Sequence, residues 1–247
     1  MPSEHRSHSF SPDGYRALVR AFLTHGYAVR DFIDAAPDQA HLVLRHDIDI
    51  SIEAALDIAE IEHALGVSST YFVLVRSELY NAFSRRSLDT LNRMLTLGHR
   101  IGLHLDAHLY TDGGLEAGAA RECAALEALL ARPVSMISFH RPSQELLARE
   151  GKIAGRRHAY EPLFFRTMGY CSDSRGVWQR GHPLDHAATQ GGRALQLLTH
   201  PIWWQHPPAS AADRLRQFLA ARFDFLDHEL ADQCAAHQPN GGRTPPA

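Results

Sequence analysis

Apolar residues along the chain fall into short runs whose period keeps changing. Residues 15–25 carry the three-to-four spacing of an amphipathic helix and stop at Gly26, and 41–45 follow as a brief apolar strand. Ser51 is placed to cap a helix over 52–65 that Gly66 ends, and the β-branched and aromatic run 69–75 predicts the next strand. The alternation continues with a helix at 87–97 closed by Gly98, a strand at 100–103, an Ala/Leu-rich helix at 115–130 and a strand at 134–139. Between 144 and 170 it weakens to a short helix within Gly/Arg-rich loop. A strand at 170–172, a turn at Gly191-Gly192, a strand at 194–198 and a helix at 213–230 complete the series.

Strands alternating with helices, without a break in composition, predict one α/β domain with a parallel sheet or barrel. The polar residues decide between the two. Asp47 and Asp49, His104, His140 and Arg141, Asp173, and His200 each come just after a predicted strand. In a parallel barrel every strand C-terminus opens on one face, so residues this far apart in sequence converge there. An open doubly wound sheet would gather only those near its switch point, and no Gly-rich phosphate loop follows the first strand. The expected fold is therefore a single-domain barrel over 13–231, with 1–12 flexible and the Gly- and Pro-containing stretch 232–247 a disordered tail.

Composition narrows the function classes. With 247 residues, 45% of them hydrophobic, the chain can bury a sizeable core. Its net charge of -3 and the lack of any basic block beyond Arg156-Arg157-His158 exclude nucleic acid as the expected partner. Three cysteines without a CxxC argue for reduced thiols rather than a disulfide framework. No apolar signal-like or membrane-spanning run is present, so the expected location is cytoplasmic, with any lipid-linked substrate met at the inner membrane face.

The candidate chemistry centres on Asp47-Ile48-Asp49 together with His104 and His108. On a strand the two aspartates share a face, which is costly near a core unless a cation neutralises them. One carboxylate and two imidazoles suit a divalent ion with positions open for water and substrate, and the second carboxylate is left as a base. Among 17 histidines a His-x-x-x-His spacing arises by chance, as His182 and His186 in a loop illustrate, so the weight falls on position after a strand. Arg141 is either a surface ion-pair partner or the group that holds the free carboxylate oriented and ionised. Asp173 and His200 suggest a carboxylate–imidazole pair, in which the carboxylate raises the imidazole pKa and makes it a general acid. Trp178, Trp203 and Trp204, close after these residues, suggest a platform on which a sugar ring stacks.

Read in order, Arg45-His46-Asp47-Ile48-Asp49, Gly102-Leu103-His104-Leu105-Asp106-Ala107-His108, Phe139-His140-Arg141-Pro142, Ser172-Asp173 to Trp178 and Leu197-Leu198-Thr199-His200-Pro201 resemble the polysaccharide deacetylase family. This is the NodB homology or carbohydrate esterase family 4 group, and the resemblance is to its divergent branch with an RHDxD first motif, found in surface-polysaccharide biosynthesis. It spans residues 42 to 204. It implies a distorted (β/α)7 barrel and one divalent metal ion, commonly zinc. The implied roles are Asp47 as general base, Asp49, His104 and His108 as metal ligands, Arg141 as the arginine orienting the base, Asp173 as the carboxylate tuning the acid, and His200 as the acid. His140 and the three tryptophans fall to the substrate. Two departures stand out. Ile48 separates aspartates that are adjacent in the usual first motif, so either can be the metal ligand, with Asp49 preferred, and Ser143 replaces the usual aromatic after Pro142. The implied activity is removal of an N-acyl, chiefly acetyl, group from an amino sugar of an O-antigen or capsule. The substrate would be nucleotide-linked, lipid-linked or a glycan end. Alternatives are a related C-N hydrolase such as a deformylase, a metal- or carbohydrate-binding barrel without turnover, and, with too few basic residues to support it, a phosphoesterase.

Overall fold

A computed structural model describes residues 9–110 and 113–239. Eight strands among them, β1 Ala28–Val29, β2 His41–Ile48, β3 Thr70–Leu74, β4 Arg100–Asp106, β5 Met136–His140, β6 Arg157–His158, β7 Gly169–Ser172 and β8 Leu195–Thr199, form one sheet with parallel ladders throughout. The helices are α1 Pro12–Thr24, α2 Leu56–Ala64, α3 Arg85–Thr96, α4 Leu115–Leu130, α5 Ala187–Gln190 and α6 Ala211–Gln233. β1 pairs only with the start of β2. The other seven strands run β6-β5-β4-β3-β2-β8-β7. Because β8 returns to pair with β2, they follow chain order around a ring that is broken among the described ladders only between β6 and β7. The architecture is a distorted (β/α)7 barrel with one open seam; the strand-end pattern predicts the barrel, and the motif resemblance its distorted (β/α)7 form.

The chain divides into two compact units, one ending at His206 with all the strands and α1 to α5, the other beginning at Pro207 with α6. That boundary lies inside the 13–231 span expected for one domain. Of the expected flexible and disordered ends, 1–8 and 240–247 lie outside the described residues, whereas Pro12 already belongs to α1 and α6 reaches Gln233. No helix among the described residues is long and apolar enough to cross a membrane.

Local sequence explains the helix starts. Ser11, Ser84 and Ser210 accept backbone N–H bonds at the heads of α1, α3 and α6, satisfying groups that a helix N-terminus leaves open. Alternation explains the barrel lining. On β2, Val43, Arg45 and Asp47 face one way and Leu44, His46 and Ile48 the other. Val43 joins an apolar floor with Phe32, Phe72, Met136 and Phe164. Gly102 on β4 is required by that floor, since a Cβ there would sit 2.6 Å from the Phe72 ring. On the opposite face His46 meets Glu62 of α2 at 2.8 Å, and Tyr15 of α1, Ser69 and Tyr71 donate to the same buried carboxylate, tying helices to strands.

Candidate metal centre and catalytic site

Above the apolar floor the inward positions become polar. Arg45, with no exposed surface, reaches Asp47 two residues on along the strand, its Nε 3.0 Å from Oδ1 and its Nη2 2.7 Å from Oδ2. The same guanidinium donates to Gln196 of β8 at 3.2 Å, Ser138 of β5 at 2.5 Å and the Tyr160 hydroxyl at 3.0 Å, and lies over the Tyr160 ring. Burial disfavours a charged Asp47, but the guanidinium and nearby His104 outweigh it and hold the carboxyl below its usual range.

One step further up, Asp49 Oδ1 lies 3.0 Å from His104 Nε2 and 3.4 Å from His140 Nδ1. Donor atoms of these three residues all fall within 4.8 Å of one another, close enough to share one ion. An aspartate with two histidines is a mononuclear divalent-metal set that leaves room for water and substrate, so the residues present fit such an ion. His104 turns its Nε2 to the cluster, with Asp47 Oδ2 also 3.8 Å away, while its Nδ1 is buried without a hydrogen-bond partner. Burial again opposes ionisation of Asp49, yet His104, His140 and His200 keep its carboxyl well below the usual range.

On the other side of Asp49 stands His200, following β8, with Nε2 3.7 Å from Asp49 Oδ2. Its Nδ1 is 2.6 Å from Asp173, which follows β7. Fully buried, Asp173 also accepts the His200 backbone N–H and, at 2.7 Å, the Trp204 indole N–H. Burial disfavours the imidazolium, but Asp173 first and then Asp49 and Asp47 raise the His200 pKa to about 9. At neutral pH it is a cation with Nε2–H facing the cluster.

Of the residues singled out from sequence, Asp47, Asp49, His104, Asp173 and His200 come together, and His140, assigned there to substrate, completes the Asp49 group. His108 does not join it. β4 continues to Asp106, whose carboxylate accepts the His108 backbone N–H and caps a 3-10 turn at Ala107–Leu109; His108 Nε2 then donates to the Arg141 carbonyl at 2.9 Å. A four-residue spacing places side chains on one face of a helix but not across a strand that gives way to a turn. Arg141 does not reach Asp47 either. It donates to Asp106 at 2.6 Å with 66% of its side chain exposed, and Arg45 holds the position expected of it. The tryptophans are not an open platform: Trp204 is fully buried and Trp203 nearly so, while half-buried Trp178 sits among Phe10, His182 and Trp204. Sequence reasoning passes over Arg45, Ser138, Tyr160 and Gln196; the two-residue offset of Arg45 from Asp47 on a strand is the signal that finds the first.

No family model matches the chain, and no curated protein matches it. Among solved structures it is similar to a deacetylase of Streptococcus pyogenes in complex with acetate, at 12% identity and a TM-score of 0.45, covering 83% of this chain and 85% of that one. It is also similar to a peptidoglycan deacetylase of Bdellovibrio bacteriovorus, at 19% identity and a TM-score of 0.44, covering 78% of this chain and about half, 52%, of that one. A third is a family 4 carbohydrate esterase pseudoenzyme of Bacillus anthracis, at 14% identity and a TM-score of 0.42, covering 76% of this chain and 62% of that one.

Proposed function

We propose that the protein is a metal-dependent hydrolase that removes an N-acyl group, acetyl in the first instance, from an amino sugar. The observation that carries this reading is the placing of an Asp49–His104–His140 cluster between a fixed carboxylate, Asp47, and a cationic imidazole, His200. Asp49, His104 and His140 would hold a divalent ion, zinc being well suited to their donor set, and such an ion supplies Lewis acidity toward an acyl carbonyl and acidifies water. Asp47, held ionised by Arg45, takes the proton of the attacking water. His200 gives its Nε2 proton to the departing amine, while Asp173 keeps Nδ1 engaged and the ring oriented. Water adds its oxygen to the acyl carbon, the C–N bond breaks, and a free amine and a carboxylate leave. Two groups whose pKa values are pushed apart, one down and one up, are what acid and base roles at one site require. A surface-polysaccharide intermediate in the cytoplasm, nucleotide-linked, lipid-linked or at a glycan end, is the substrate class that the motif resemblance favours.

A second reading, a metal- or glycan-binding barrel without turnover, is favoured by one observation: both Asp47 oxygens are already engaged by Arg45, which weakens the carboxylate as a base. One experiment separates the two. Protein loaded with zinc or cobalt is assayed for acetate or formate release from a panel of N-acylated amino sugars, beside Asp47→Asn and His200→Ala. Release that both substitutions abolish supports hydrolysis. Absence of release across the panel, or turnover unaffected by either substitution, overturns it.

A further inference from the structure

The torsion that turns a carboxylate about its Cβ–Cγ bond is broad, so the two oxygens of an aspartate are aimed by whatever donates to them. For Asp173 the side-chain donors come from one short segment. Oδ1 lies 2.6 Å from His200 Nδ1, both oxygens accept the His200 backbone N–H at 3.0 Å, and Oδ2 accepts the Trp204 indole N–H at 2.7 Å. His200 and Trp204 flank the 3-10 turn Pro201–Trp203, which the Trp204 backbone N–H closes on the Pro201 carbonyl. The segment thus grips Asp173 from both ends, with the imidazole on one oxygen and the indole on the other.

Trp204 is built as an anchor. It is fully buried, and the rings of Phe10, Tyr15 and Trp178 surround it at 4.8, 5.4 and 5.9 Å, Tyr15 edge-on. An indole has one donor and no acceptor, and when buried it usually finds a partner for that N–H. The neighbouring tryptophans differ, since the indole N–H groups of Trp178 and Trp203 are buried without a hydrogen-bond partner. Of the three, Trp204 is the one joined to the acid–carboxylate pair. Without its N–H the Asp173 carboxylate is free to turn, and the His200 ring, whose Nε2 stands 3.7 Å from Asp49 Oδ2, loses the fixed partner behind it.

We infer that Trp204 is a positioning residue: its indole N–H fixes the Asp173 carboxylate, so that the His200 imidazole keeps Nδ1 engaged and Nε2 turned toward the Asp49 cluster. The effect on turnover rests on the hydrolase reading, whereas the geometry stands without it. This role is distinct from that of a sugar platform. A platform residue is felt in KM, while a residue that orients the acid is felt in kcat.

The test replaces Trp204 alone by 3-benzothienylalanine, which keeps the bicyclic shape and sets sulfur where the N–H was, in full-length protein supplied with zinc. Proton NMR follows the His200 Nδ1–H, identified by its loss in His200→Ala. Exchange of that proton with solvent should quicken about 10-fold or more. On an N-acetylated amino sugar that the wild type hydrolyses, kcat should fall about 10-fold or more with KM within about twofold. In an Asp173→Ala background the same replacement should cost nothing further, a result that lost packing alone does not produce. Trp204→Phe, which also lacks the N–H, should repeat the faster exchange, and circular dichroism checks that both proteins are folded. A His200 proton that exchanges at the wild-type rate, or a full additional loss of kcat in the Asp173→Ala background, overturns the inference. A wild type without turnover sinks the hydrolase reading instead, and the exchange rate alone then decides the role of Trp204.

Discussion

Replacing Arg45 by methionine keeps the length and apolar contact of the side chain and removes its charge. The guanidinium makes two bonds to Asp47 and one each to Gln196, Ser138 and Tyr160, all in a fully buried position. Methionine leaves the 3%-exposed Asp47 carboxylate without its cation. Breaking a buried pair from one side costs about 3–5 kcal/mol, because the remaining charge stays desolvated. At roughly 2–4 °C per kcal/mol for a domain of this size, the Tm should fall by about 6–20 °C. The cost should depend on pH with a definite sign. In wild type the folded-state pKa of Asp47 is depressed, so this group contributes stability above its unfolded pKa and loses it as pH falls. Without Arg45, burial dominates and raises the folded pKa, so the variant is penalised most at high pH and recovers as the carboxyl protonates. Urea unfolding of both proteins at pH 8 and pH 5, with a chelator present, measures the gap, which should shrink at the lower pH. Arg45→Met with Asp47→Asn, which removes both charges, should return more than half of the lost stability. A single variant within about 1 kcal/mol of wild type at pH 8, or a gap that does not narrow on acidification, would refute the reasoning.

Other parts of the structure make independent predictions. His140→Ala should lose the bound metal in inductively coupled plasma analysis while His108→Ala retains it, because only His140 shares the Asp49 cluster. Glu62 of α2, buried against Tyr15 of α1 and His46 of β2, is opposed in its ionisation by desolvation but held at a pKa of about 2 by His46, His99 and Ser69. Its contribution of about 3 kcal/mol is therefore present above its unfolded pKa of about 4.5 and is lost as pH falls toward 2, so Glu62→Gln should show a shallower loss of urea stability between pH 5 and pH 3 than wild type. Gly102→Ala should cost about 1–3 kcal/mol by driving a methyl into the Phe72 ring, with Phe72→Leu in the same chain returning part of the loss in a thermal melt. Asp173→Asn should move the titration of the His200 ring, followed by NMR in metal-free protein, from about 9 to lower pH, since the carboxylate that most favours the imidazolium is gone.

Much of the barrel is legible in the sequence because its strands carry dense apolar runs: Tyr71 to Leu74 in β3, and Leu195, Leu197 and Leu198 in β8. Reading stops early where a strand turns polar. The apolar run of β2 ends at Arg45, yet the strand continues to Ile48, since His46 is satisfied by Glu62 and Thr199 outside and Asp47 by Arg45 inside. Composition cannot distinguish such paired polar residues from a loop. β6 is hidden for a related reason. Arg157 and His158 carry no strand pattern of their own and are recruited by the edge of β5 at Met136 and Ile137. The His pair misleads through periodicity: His104 obeys the strand's two-residue alternation, so its partner at the cluster comes from the next strand over, where Met136, Ser138 and His140 alternate inward, and not from His108. No local spacing within one segment encodes that neighbour.

The same accounting of neighbours bears on the two aspartates that Ile48 separates. Three carboxylates occupy the site, and each needs opposite charge to remain ionised while buried. Arg45 is forked on Asp47, an arrangement that fixes both oxygens and leaves little of the carboxylate's charge uncompensated. His200, raised to about 9, is bonded to Asp173. Asp49 has no arginine. Its close contacts are the imidazoles of His104 and His140, with His200 at 3.7 Å already engaged elsewhere. A divalent ion is best accommodated beside the carboxylate whose close partners are imidazoles, because imidazoles serve an ion best when neutral, as ligands rather than counter-charges. This argues for Asp49 as the metal ligand and leaves Asp47, its oxygens held by Arg45, as the carboxylate for the base's role. It also carries its own check: Asp49→Asn should abolish metal uptake, whereas Asp47→Asn should retain it and lose turnover. The reverse pattern would exchange the two roles.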